Sequence, residues 1–97
     1  MELECAGEVV EWRGPPPFYY VVLPEAESET IHELSGALSY GWGAIPVQAQ
    51  VRGQEFTTSL FPKDGRYLLP LKDAVRRPAG ISLGDIVEAR LVLTLLA

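Results

Sequence analysis

The segment from Phe56 to Arg77 constrains the fold more than any other part of the chain, because it leaves almost no room for irregular structure. Two strands are predicted here, 55–61 and 66–71, joined by a tight turn at Lys63-Asp64-Gly65. A short helix follows over 72–77, and Pro78 ends it. With a third strand before it, at 47–51, the segment predicts an antiparallel meander whose register is set by its turns.

Three further strands complete a mainly β pattern. Alternation of apolar and polar residues predicts strands over 2–9 and 87–95, and aromatic and β-branched residues predict one over 18–23. The proline-rich segment 13–17 breaks the chain between the first two of these strands, so we expect a hairpin there.

One substantial helix is predicted after Pro24. Its first turn is acidic, which suits the positive end of the helix dipole. Ile31, Leu34 and Leu38 have the spacing of one apolar face, and Gly36 is a plausible stop.

Length and charge limit the function. The chain has 97 residues, enough for one domain over 1–97, and 47% of them are hydrophobic, enough for a core. A net charge of −5 argues against a general binder of phosphate backbones. We expect no membrane-spanning segment and, since no basic region precedes an apolar run at the N-terminus, no signal peptide; this predicts a cytoplasmic protein.

Several blocks in a fixed order resemble one known family. The blocks are Gly41-Trp-Gly-x-x-Pro-Val, Thr58-Ser-Leu-Phe-Pro, Asp64-Gly-Arg-Tyr-Leu-Leu-Pro-Leu-Lys, Ala74-Val-Arg-Arg and Gly80-Ile-x-x-Gly-Asp-x-Val. In this the chain is similar to the family called domain of unknown function nineteen-oh-five. The resemblance implies a small, partly open β-barrel of about six strands with one longer α-helix and one short helix. It implies no catalytic residue.

A weaker similarity concerns the last block alone. A Gly-Asp turn before a final strand also occurs in AbrB/MazE-like barrels, and AbrB-type proteins bind DNA as dimers. This block chiefly encodes a tight turn, and the acidic charge opposes DNA. Nucleic acid is therefore the lesser alternative.

Most of the cations fall close together in the sequence. They are Lys63, Arg66, Lys72, Arg76 and Arg77. Arginine suits carboxylate and phosphate groups, so an anion-binding rim forms if the turn and the short helix come together. The competing interpretation is that Arg76 pairs with barrel carboxylates while the other cations are solvated.

Aromatic residues give a second candidate site. Trp42 stands between two glycines, where a loop aromatic either contacts a ligand or covers the end of a barrel. For Trp12 we expect burial. The predicted binding residues are therefore Trp42, Lys63, Arg66, Arg76 and Arg77.

Catalytic and metal chemistry have little support in the sequence. His32 is the one histidine and has no second soft ligand near it, so we expect no metal site. Cys5, the one cysteine, lies on the apolar side of the first strand and is predicted to be structural. Asp64 and Asp85 adjoin turn glycines and are expected to support turns. We expect no catalytic residue and no cofactor.

Three functions follow from these observations. The preferred one is a non-catalytic binding or interaction module that holds a small anionic ligand or a peptide at the open end of the barrel. The residues expected at the edge of this end are Trp42, Lys63, Arg66 and Arg77. An AbrB-like nucleic-acid binder and a small enzyme of unknown reaction are the alternatives. The apolar outer positions of the last strand also predict a homodimer.

Overall fold

A computed structural model describes residues 1–12, 18–34 and 43–93. These residues form six strands and two helices. The strands are β1 (Glu2–Trp12), β2 (Phe18–Val22), β3 (Ile45–Val51), β4 (Gln54–Lys63), β5 (Arg66–Leu71) and β6 (Ile86–Leu93), and the helices are α1 (Glu25–Glu33) and α2 (Asp73–Arg76). The predicted mainly β class, with one longer and one short helix, is confirmed.

The strands close into a barrel in the order β1-β2-β5-β4-β3-β6, and every pair is antiparallel. Closure depends on two long strands that change partners. β1 pairs with β6 over its first half and with β2 over its second. β4 pairs first with β3 and then with β5. The prediction of a partly open barrel is wrong, because these shared strands join the two sheets on both sides.

Gly7 lies where β1 passes from one sheet to the other. A Cβ atom at this position would lie 2.1 Å from the carbonyl oxygen of Val22, so only glycine allows the two backbones to approach this closely. Two residues later, the Val9 amide donates to the Asp85 carbonyl at 2.8 Å, and the Gly84 amide donates to the Val9 carbonyl at 2.9 Å. The corner of β1 is therefore held by backbone contacts on both sides.

The barrel interior is filled by its own side chains. Alternate residues of all six strands point inward and form one apolar core. Leu23 and the α1 residue Ile31, both fully buried, cover one end of the barrel. Val75 of α2 and Ile81 cover the other end. Any ligand must therefore bind on the outside of the barrel.

Two tight turns set the register of the predicted meander. Arg52-Gly53 joins β3 to β4, and Asp64-Gly65 joins β4 to β5. All four residues have positive φ, as two-residue hairpin turns of type I′ require. Asp64 thus acts as a turn residue, as predicted. So does Asp85, whose carboxylate accepts the Ser82 amide at 2.9 Å.

The helix and the last strand differ in detail from the predictions. α1 buries Ser28 and Ile31, whereas Leu34 is exposed just beyond its end. Leu38 and Gly36 lie outside the described residues, as do positions 94 and 95 of the predicted last strand. Within the described ranges, no helix is long and apolar enough to cross a membrane.

Candidate functional site

A groove lies between α1 and the β4–β5 turn, and we call it the hairpin groove. Its volume is about 440 Å³. The helix wall consists of Ser28, Glu29, His32 and Glu33, and the hairpin wall consists of residues 62–67. More of its lining is apolar than polar. The groove can therefore hold a small organic molecule against the hairpin wall, which carries charges of both signs.

Ser28 fixes the distance between the two walls. It is fully buried, and its hydroxyl oxygen accepts the Tyr67 amide at 3.1 Å. The same hydroxyl donates to the Leu23 carbonyl at 3.4 Å. A buried polar group needs such partners, so this hydroxyl ties α1 to β5. Ser28 is not among the residues predicted from the sequence, although its position three residues before Ile31 places it on the inward side of the helix.

Two of the predicted binding residues, Lys63 and Arg66, line the groove together. The Arg66 guanidinium lies 3.8 Å from the carboxylate of Glu25, and both side chains are largely exposed. Exposed pairs of this kind contribute little to stability, so Arg66 can exchange Glu25 for a ligand anion. The Lys63 ammonium lies 3.0 Å from the ring centroid of Trp12.

The charges of the hairpin groove are mixed. Glu29 and Glu33 stand on the helix wall and Asp64 at the turn, opposite the cations of the hairpin. His32 is exposed and faces the same space. A ligand with one anionic group and an apolar body fits this distribution better than a highly charged one does.

Arg76 and Arg77 lie elsewhere. They follow β5, whereas Lys63 ends β4 and Arg66 begins β5, so the length of β5, about 17 Å for six residues, lies between the two pairs. The predicted residues therefore form two groups and not one rim. Whether either group binds an anion stays a prediction.

Arg76 is engaged in packing. Its guanidinium lies 4.2 Å from the ring centroid of Tyr19. It also donates to the Ile81 carbonyl and to the Asp73 carboxylate, each at 3.3 Å. Asp73 belongs to α2 and not to the barrel, so the expected pairing with barrel carboxylates is replaced by a local one. Arg77 pairs with the same carboxylate at 3.5 Å and is otherwise exposed.

The aromatic candidates have different outcomes. Trp42 lies outside the described residues, so its predicted role stays a prediction. Trp12 is 46% exposed, and the expectation that it is buried is wrong. It ends β1 on the outer side of the barrel, opposite Phe18 in the ladder.

Cys5 has the properties of a structural thiol. It packs partly buried against the core. Burial, and secondarily the negative charge of Glu27, raises its pKa to about 11. At neutral pH it is therefore protonated and a poor nucleophile. Within the described ranges, no three His, Cys, Asp or Glu side chains are grouped so that they could hold a metal ion.

The outer surface of β1, β6, β3 and the first half of β4 carries most of the strand carboxylates, and we call it the acidic face. These are Glu2, Glu4, Glu8, Glu55 and Glu88. Arg90 lies among them, 3.2 Å from Glu2 and 2.6 Å from Glu4. A shallow depression of about 880 Å³ crosses this face. Both arginines that line the depression, Arg52 and Arg90, already pair with carboxylates, which leaves little to attract an anionic ligand.

One protein-family model matches residues 6–91 of the chain, and its description is Domain of unknown function (DUF1905). No curated protein matches the chain.

Proposed function

We propose that this chain, which belongs to the DUF1905 family, is a non-catalytic binding module that holds a small anionic ligand in the hairpin groove. One observation carries the proposal: Lys63 and Arg66 line the same groove, and most of the lining of this groove is apolar. A carboxylate or phosphate group on the ligand would accept charge-assisted hydrogen bonds from Arg66. The rest of the ligand would lie between α1 and the hairpin.

The arrangement around the groove supports binding over catalysis. His32 is the only histidine, and the hydrogen bonds of the described residues include none between it and a serine or cysteine. Ser28 has both of its hydrogen bonds committed to the backbone. A hydrolytic nucleophile would need an activating base within reach.

The arrangement also favours a small ligand over nucleic acid. An AbrB-like binder would need its arginines on one positive surface. Arg76 is instead packed on Tyr19, at the opposite end of β5 from Arg66. The remaining barrel surface carries the acidic face, which repels phosphate backbones.

Calorimetric titration tests the proposal, with benzoate, phenyl phosphate and inorganic phosphate as probes. We expect the two aromatic anions to bind more tightly than phosphate, since they also contact the apolar lining. Arg66→Ala should weaken binding roughly tenfold, the usual effect of losing one charge-assisted hydrogen bond.

Arg77→Ala is the matched control, because Arg77 is an exposed arginine outside the groove that pairs with one carboxylate, as Arg66 does. It should leave the affinity unchanged. Equal weakening by both substitutions would show a diffuse charge effect and overturn the proposal. So would a failure of all three probes to bind at millimolar concentration.

A further inference from the structure

The outer surface of β2, β5 and the second halves of β1 and β4 is apolar, and we call it the aromatic face. In these strands Val21, Leu69 and Leu71 point into the core. The residues between them therefore point outward. Neighbours in the ladder are Trp12 with Phe18, Tyr20 with Val10 and Pro70, and Leu68 with Val22 and Phe61.

Three large aromatic side chains of this face are open to water. Trp12 is 46% exposed, Phe18 55% and Phe61 47%. Leu68, the ladder neighbour of Phe61, is only 8% exposed, yet it is not part of the barrel core cluster. The face thus has a covered leucine beside Phe61 at one end of β2 and the exposed rings of Trp12 and Phe18 at the other end. Contiguous apolar surface of this kind marks an interaction site more often than a solvated one.

The charged residues of the aromatic face are positive, whereas the molecule as a whole is negative. Lys63 and Arg66 occupy its outward positions at the β4–β5 end. Among the outward positions of these described strand segments none is a carboxylate, and Glu8 only borders them at the corner of β1. The rest of the barrel surface holds the acidic face, and the net charge is −5.

We propose that the aromatic face docks an acidic peptide segment of a partner protein. Apolar side chains of the segment pack against Phe18 and Phe61, and its carboxylates pair with Lys63 and Arg66. Exposed aromatic rings next to cations are typical anchors of such interfaces. Lys63 and Arg66 also line the hairpin groove, whereas neither phenylalanine does, so the two phenylalanines distinguish this inference from the proposed function.

A nucleic acid fits the same face less well. Stacking on aromatic rings would be available, but single-stranded binders also track the backbone along a positive groove. Among the described outward positions of the face only two are cationic, and one of these cations already has Glu25 at 3.8 Å. The net negative charge further opposes a polyanion, whereas a short peptide brings few charges.

The test uses fluorescence anisotropy with labelled synthetic peptides. One peptide alternates glutamate with leucine and phenylalanine, and a second has lysine in place of each glutamate. We expect the acidic peptide to bind roughly tenfold or more tightly than the basic one, with an affinity that falls as salt increases. Phe18→Ser and Phe61→Ser should each weaken binding roughly tenfold, as loss of an interface anchor does.

Val92→Ser is the matched control, because Val92 is an exposed apolar residue on the outside of β6. It should leave peptide binding unchanged, and thermal melts should show all three variants folded. Equal binding of the two peptides, or equal loss from Val92→Ser and Phe18→Ser, would overturn the proposal.

Two other occupants are separate outcomes of the same experiment. Tight binding of oligothymidylate without binding of the acidic peptide would assign the face to nucleic acid. Light scattering that shows a dimer, dissociated by Phe18→Ser, with no peptide bound would assign it to a second copy of the chain. Either result contradicts the acidic partner.

Discussion

The acidic face and the aromatic face cover the same core, yet their outward residues differ in charge and in aromatic content. Both are built from strands whose inward residues alternate with outward ones. On the acidic face the outward residues of β1 and β6 are mostly charged. On the aromatic face Phe18, Tyr20 and Val22 point outward from β2. The inward residues therefore determine the barrel fold, and the outward residues determine which solvent or partner each face of the barrel contacts.

The largest expected effect is at Gly7, where β1 leaves one face for the other. Gly7→Ala would place a methyl group 2.1 Å from the Val22 carbonyl oxygen, so the backbone of β1 or β2 must shift. We expect a loss of about 3 kcal/mol in the free energy of unfolding, as for overpacked core positions. Urea unfolding followed by circular dichroism measures it.

Comparison with Gly53→Ala separates the effect of this steric clash on stability from the effect of backbone strain. No atom lies within 4 Å of a Cβ at Gly53, but its φ is +79°. The substitution should cost about 1 kcal/mol, the usual cost of a left-handed conformation for alanine. If Gly7→Ala costs no more than Gly53→Ala, the corner does not depend on close approach of the strands.

The next largest effect is expected at Ser28, which holds α1 against the end of the barrel between the two faces. Ser28→Ala removes the acceptor of the buried Tyr67 amide. We expect a loss of about 2 kcal/mol, because an unsatisfied buried donor carries its desolvation cost. Thermal or urea unfolding gives the value.

Thr30→Ala is the control on the same helix. The Thr30 hydroxyl donates to the Ala26 carbonyl at 3.1 Å but is exposed. Its removal should change stability by about 0.5 kcal/mol or less. Similar losses from the two substitutions would mean that the Ser28 bond does not anchor the helix.

The sequence predicted local structure well because local chemistry determines it. Period-two alternation located the strands, and the Asp64-Gly65 turn required positive φ values that the structure has. The aromatic face also has a signal in the sequence. A strand with one side in water has polar residues on that side, and the strand over 18–22 has none. That signal was interpreted only as strand propensity.

Closure of the barrel and the grouping of the cations were beyond sequence reasoning. Closure depends on β1 and β4 changing partners, which is a tertiary property with no local pattern apart from Gly7. The cations from Lys63 to Arg77 are near in sequence, but β5 runs between them and separates them in space. Proximity along an extended strand does not imply proximity in a site.

A smaller effect, confined to high pH, is expected at Cys5, which points inward under the acidic face. Its pKa is raised from 9.0 to about 11, first by burial and then by Glu27. The folded state thus favours the thiol over the thiolate. Its contribution to stability is complete below pH 9 and is lost as the pH rises through about 11.

Comparison with Cys5→Ala isolates this contribution, because lysine and tyrosine also titrate at high pH. Between pH 9 and 11 the native protein should lose more stability than the variant does. Alkylation by iodoacetamide should likewise follow a midpoint near 11 when folded and near 9.0 in guanidinium. Identical midpoints in the two states would contradict burial of the thiol.

The smallest effect is expected at Arg90, the cation that offsets the carboxylates of the acidic face. Its guanidinium lies 3.2 Å from Glu2 and 2.6 Å from Glu4, and all three side chains are more than half exposed. Arg90→Ala should lower the melting temperature slightly at low salt, because Glu2 and Glu4, neighbours on the outer side of β1, then repel one another with no cation between them. At about 1 M salt, where the Debye length is about 3 Å, the difference in melting temperature should disappear.

Gln48→Ala is the control, because Gln48 is an exposed outward residue on β3, and its melting temperature should show no salt-dependent change. A melting difference for Arg90→Ala that persists at high salt would mean that the side chain packs on the acidic face, and the contrast between the faces would then rest less on charge.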